Sequence, residues 1–193
     1  MEKLVLGLIV FFAGHSISLL ALGWRDRMAN RLGLRTWRAV YSVLALLGFY
    51  LLVSGYGSAR PLAALLYAPP MWLHSVAAIL MLPVFPLALA SVLPGRIGAR
   101  AGHPLLLATM LWAVAHLLTN GSAADVLLFG AFLAWAVVVR VSLARRPARR
   151  AIPLPASMAN DVIAIVGGLA LYAAFIFGLH VRFFGAPVLG VGL

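Results

Sequence analysis

Cysteine is absent from the 193-residue chain, which excludes disulfides, thiolate metal sites, a cysteine nucleophile and haem attached covalently through C-x-x-C-H. Charge is scarce too. Asp, Glu, Lys and Arg together make up 10% of the residues and hydrophobic ones 64%, whereas a soluble domain carries about 25% charge. The four acids, Glu2, Asp26, Asp125 and Asp161, all stand at the ends of apolar runs, so a pump driven by carboxylates inside a bilayer has no groups to use. H-E-x-x-H, G-x-S-x-G and paired carboxylates are missing, which removes the chemistry of metalloproteases, serine hydrolases and glycosidases. Five scattered histidines are too few for a membrane di-iron oxygenase, which needs many clustered ones.

What the chain does have is long apolar runs. They extend over Lys3 to Gly23, Trp37 to Tyr56, Met71 to Leu93, Pro104 to Thr119, Ala123 to Val141 and Asp161 to Phe183. At a rise of 1.5 Å per residue, runs of about 20 residues each cross the ~30 Å hydrocarbon core. The prediction is an all-α, polytopic integral membrane bundle of six transmembrane helices, one domain over residues 1–193, with no room for a soluble domain. Lys3 and the passable cleavage site Ala21-Leu22-Gly23 suggest a signal peptide. The run is too long for an h-region, however, holds Gly14-His15-Ser16 near its middle and leads into an arginine-rich segment, so a retained helix is expected.

The formal charge of +11 comes from 15 cations, 14 of them arginines strung between the apolar runs. Nucleic acid would call for cations clustered on one accessible face, so no nucleic-acid partner is expected and the charges are read as membrane topology. Arg25, Arg27, Arg31, Arg35 and Arg38 stand at the first connection, Arg96 and Arg100 at the third, and Arg140, Arg145, Arg146, Arg149 and Arg150 at the fifth. Only Lys3, Arg60 and Arg182 remain for the opposite side. The positive-inside rule then makes the odd connections cytoplasmic and both termini outward-facing.

Local signals divide the runs. Thr119-Asn120-Gly121-Ser122 reads as a helix stop and restart, with Gly121 expected in a left-handed cap and Ser122 as N-cap in a short S-x-x-D capping box with Asp125. The fourth and fifth helices become a tight antiparallel hairpin. Pro83 and Pro86 interrupt the third run and are expected to bend it, which could shape an internal space. No internal repeat suggests an inverted-repeat transporter.

Five histidines remain as functional candidates. His74, His103 and His180 stand near helix ends, where water and headgroups suffice as partners. His15 and His116 lie well inside their spans, where a polar ring needs a partner. Each is about 12 residues, or ~18 Å, from its helix start. With the two helices running oppositely through a ~30 Å core, their depths differ by only ~6 Å, and the pair could face one metal. His103 and His116, 13 residues apart on one helix, are separated by ~220° and ~20 Å and cannot. Thr109, Trp112, His116, Thr119 and Asn120 form one helical stripe, which points polar and aromatic groups inward. Gly7, Gly14 and Ser18 accompany Phe11 and His15, permitting close approach by another helix or by a flat macrocycle. Two readings of the pair stand side by side: interhelical hydrogen-bonding histidines over a small-residue seam, or axial ligands of iron in a porphyrin. Two imidazoles are insufficient for a closed zinc site.

His103-Pro104 followed by Leu111-Trp112-Ala113-Val114-Ala115-His116-Leu117-Leu118-Thr119-Asn120-Gly121 resembles the signature region of the NnrU family, whose plant relative is the 15-cis-ζ-carotene isomerase. Phe11-Phe12-Ala13-Gly14-His15-Ser16 resembles that family's first-helix histidine motif, and Arg38-Ala39-Val40-Tyr41-Ser42 its second-helix start. The resemblance implies a multi-pass protein of the bacterial inner membrane that binds haem b non-covalently through a bis-histidine pair falling on His15 and His116. It also implies a redox-dependent cis-trans isomerase of a polyene or, as the alternative, a non-enzymatic membrane factor supporting nitrite and nitric oxide reduction in denitrification. Gly102 before His103 and Ser122 after Gly121 depart from the pattern, where a basic and an acidic residue are expected. A third alternative, independent of the family, is a haem-free small transporter or scaffold.

Overall fold

The computed structural model describes residues 1–145, 157–185 and 188. Arg146, Arg149 and Arg150 of the fifth connection lie outside the described residues, and Ser18 outside the described side chains. Helices make up the regular structure, and the only β pairing among the described residues is an isolated bridge between Leu65 and Ser122. Four helical stretches are long and apolar enough to cross a membrane: 34–62, 72–90, 123–144 and 158–184. A fifth is reached if the first two helices, bent by 84° between them, count as one span. The expected fourth span, Pro104–Thr119, is an apolar helix of 16 residues, or about 24 Å long. Bulky apolar side chains cover much of the outside, with Val43, Leu46, Phe49 and Phe177 among the exposed ones. A face of that kind suits lipid tails and would be an aggregation hazard in water.

The chain divides into two compact units, the first formed by Met1–Leu66 with Ser122–Ala131. Its frame is α1 (Glu2–Leu20) packed along α3 (Leu34–Ala59). Glycine sets their spacing. A Cβ on Gly7 would come within 2.6 Å of the Leu52 backbone nitrogen, one on Gly55 within 2.6 Å of the Leu4 nitrogen, and one on Gly48 within 2.8 Å of the Phe11 nitrogen. Three positions along the contact thus bring the backbones together, as small residues do when water supplies no driving force between helices. Leu4, Leu8 and Leu52 are buried in the seam. Beside Gly14, by contrast, the space is open. At Ala21 the backbone leaves helical geometry (φ −140°, ψ 46°), and the basic α2 (Leu22–Leu32) turns away, with Trp24 edge-on to Trp37 at 5.7 Å.

The same unit closes on Asp125, which begins the hairpin helix α8 (Ala123–Ala144). The expected capping box is present, with the Ser122 N–H donating to the Asp125 carboxylate at 2.9 Å and the Asp125 N–H to Ser122 Oγ at 3.3 Å. The carboxylate, 2% exposed, also accepts from Tyr56 Oη at 2.5 Å and faces Arg60 Nε at 3.5 Å.

The second unit comprises Tyr67–Gly121 with Phe132–Leu193. Pro83 separates α4 (Trp72–Met81) from α5 (Val84–Ala90), which is the expected break. Pro86 falls in the first turn of α5, where its missing N–H would have had no intrahelical acceptor, so it interrupts nothing. Its ring instead packs against Gly168 of α9 (Met158–Ala174), too closely for any Cβ there. Asp161 accepts from the N–H groups of Arg96 and Ile97, both at 3.0 Å, and so caps the short α6 (Arg96–Ala101). Gly121, expected in a left-handed cap after α7 (Pro104–Thr119), does not adopt one: positive φ among the described residues is confined to Gly33, Gly102 and Gly185. Asn120 is extended instead, and glycine is needed at 121 because the Tyr67 carbonyl occupies the space of a Cβ. The Tyr67 N–H in turn donates to the Gly121 carbonyl at 3.2 Å.

Candidate functional site

His15 and His116 fall in different units, and each is built in the same way. The third turn of α1 stacks the His15 ring on Phe11 with centroids 4.0 Å apart, and Tyr41 of α3 approaches edge-on at 5.7 Å. His15 Nδ1 lies 2.7 Å from the Phe11 carbonyl, four residues back. A carbonyl oxygen only accepts, so Nδ1 carries the hydrogen and the ring's lone pair is on Nε2. At His116 the Nδ1–H donates to the Trp112 carbonyl at 2.8 Å, again four residues back, and Trp112 lies against the ring at 5.1 Å. Fixing the tautomer through Nδ1 is the way proteins orient an imidazole that ligates through Nε2.

Of the remaining histidines, His74 donates Nδ1–H to the carbonyl of Met71, three residues back, at 3.2 Å. His103 is the N-cap residue of α7, with no side-chain cap bond. His180, expected near a helix end, lies beside His116. Its ring lies 6.3 Å from that of His116, with Phe184 at 5.1 Å. A π-helical turn over Phe175–Leu179 immediately precedes it and leads into α10 (His180–Phe184). An extra residue in one turn rotates everything after it, so a 3.6-residue extrapolation from α9 misplaces His180. No signal in the sequence announced it.

The polar stripe of α7 is largely satisfied within its own helix. Thr109 Oγ1 donates to the Leu105 carbonyl at 2.9 Å, and Asn120 Nδ2 to the His116 carbonyl at 2.9 Å. These groups lower the cost of polar atoms in lipid. Next to the stripe, an open apolar groove of about 180 Å³ runs between α5 and α7, lined by Val84, Ala88, Leu105, Ala108, Trp112 and Phe132. Trp112 thus borders the groove and also touches the His116 ring.

Among the described residues no group of three or more His, Asp or Glu side chains is placed to hold a metal ion. The sequence model for NnrU protein matches residues 3–188. The chain belongs to the NnrU family. Searches of curated proteins and of solved structures each return no match. In this NnrU chain the residues that resemble the family's first-helix and fourth-helix motifs are the ones that carry the two anchored imidazoles, His15 and His116.

Proposed function

We propose that the chain is a multi-pass protein of the bacterial inner membrane, with six spans and both termini outward, that binds haem b non-covalently through His15 and His116. The observation that carries this reading is the shared anchoring of those rings, each donating Nδ1–H to the carbonyl four residues back and presenting Nε2 as the ligating atom. Phe11 and Trp112 provide flat aromatic shelves beside the rings, and the open space at Gly14 leaves room next to His15. The twelve cations of the odd connections support the orientation.

The activity that fits best is redox-dependent cis-trans isomerisation of a polyene. Haem, when bound, would be held by His15 and His116 and would supply redox-active iron. The protein's own part is to hold the imidazoles in one tautomer, to exclude water, and to receive hydrocarbon along the apolar groove that Trp112 borders. Replacing His15 or His116 by Ala is expected to lower the haem absorption of the purified protein while leaving it membrane-inserted. Unchanged haem content in both variants would overturn the ligand assignment.

A further inference from the structure

His180 has no place in the function described so far, yet its ring lies beside that of another histidine. From its ring centre to that of His116 is 6.3 Å, with the planes inclined by 36°. Two imidazoles bonded to opposite sides of one metal ion, each through nitrogen at about 2.0–2.1 Å, hold their ring centres about 6.2–6.5 Å apart. The observed spacing falls in that range.

The two histidines stand side by side on apolar helices, where each polar ring is costly. Their delivery is also specific. The His116 tautomer is set by the Trp112 carbonyl, and His180 follows directly on the π-turn at Phe175–Leu179, a distortion that helices retain mostly where it aims a functional side chain. Trp112 on one side and Phe184 on the other flank the pair with aromatic rings.

We propose that His116 and His180 ligate the same metal ion, making His180 a metal ligand contributed by the last helix. This rests on the haem reading above and would make His180, in place of His15, the second imidazole that holds the group with His116.

The test uses the full chain in lipid nanodiscs, with wild type, His180→Ala, His180→Met and His15→Ala compared by visible spectroscopy and low-temperature electron paramagnetic resonance. His180→Ala is expected to convert a low-spin signal largely to high-spin, and added imidazole to restore it. His180→Met keeps a ligating atom, and is expected to stay low-spin with a raised midpoint potential, since thioether ligation raises it; a variant disturbed only in packing would show neither rescue nor that shift. A His180→Ala spectrum and potential identical to wild type, with His15→Ala losing haem, would overturn the role of His180 and leave the haem reading intact. Should His180→Ala turn high-spin and His15→Ala stay unchanged, the His116–His180 pair stands and the His15 assignment falls. A wild type that takes up no haem defeats the haem reading alone. In that event Co²⁺ decides on the pair. Thermal stabilisation by Co²⁺ that is lost in His180→Ala and His116→Ala upholds it, and no stabilisation of wild type overturns it.

Discussion

Replacing Asp125 by Ala tests whether the first unit is held by a buried carboxylate. Three partners lose their acceptor together: the Tyr56 hydroxyl at 2.5 Å, the Ser122 N–H at 2.9 Å and the Arg60 guanidinium at 3.5 Å. A half-buried hydroxyl left without its partner costs about 1–3 kcal/mol, and loss of the reciprocal half of the capping box, the Ser122 N–H bond, about 0.5–1.5 kcal/mol. Arg60 adds less than a fully buried ion pair would, because its side chain is 39% exposed and solvent screens it. Since these losses overlap in one network, the sum is about 2–4 kcal/mol and not the arithmetic total. For a chain of this length that is a fall of about 5–15 °C in midpoint temperature, measured by tryptophan fluorescence in detergent. Asp125→Asn keeps an oxygen facing Tyr56 and should lose less. Tyr56→Phe preserves the edge contact with Phe129 at 6.1 Å and should cost about 1–2 kcal/mol, nearly all of which disappears in the Asp125→Ala background. A shift below about 2 °C for Asp125→Ala, or full additivity with Tyr56→Phe, would refute the reasoning.

Gly55→Ala places a methyl 2.6 Å from the Leu4 nitrogen, so α1 and α3 must separate; the expected loss is about 1–3 kcal/mol, read from the same melting curve, with Gly57→Ala, which meets open space, as the neutral comparison. Gly121→Ala puts a methyl against the Tyr67 carbonyl and should expose the turn between α7 and α8 to protease in nanodiscs at a rate well above wild type. Asp161→Ala removes the acceptor for two α6 N–H groups and should cost about 1–2 kcal/mol, with faster hydrogen exchange at Arg96 and Ile97 as its local signature.

What the sequence made legible was whatever depends on near neighbours. The capping box at Ser122 and Asp125, the break at Pro83 and the apolar helices each follow from residues within one or two turns, and the structure has them. Gly121 shows the limit of that logic. Its glycine is required, but by a carbonyl 54 positions earlier in the chain and not by its own φ. The bend at Ala21 has no proline to announce it, and the only local signals are Gly23 and the change from apolar to arginine-rich sequence. Asp125 was legible as a cap, whereas its bonds to Tyr56 and Arg60 depend on tertiary packing. So does the meeting of His116 and His180, because a π-turn shifts the register that periodicity extrapolates. That His15 and His116 stand well inside their apolar runs could be read from the sequence alone. Their common tautomer could not, since it depends on the rotamer each ring adopts toward its own helix.

The central claim is that this NnrU chain carries haem b on its interior histidines. Its most direct test is the visible spectrum of the purified wild-type protein, oxidised and then reduced with dithionite, with iron measured on the same sample. The account predicts a haem b spectrum with a Soret band that shifts and sharpens on reduction, near one iron per chain, and depleted in His116→Ala. A colourless protein without iron after expression with ample haem, still folded and membrane-inserted, would contradict it.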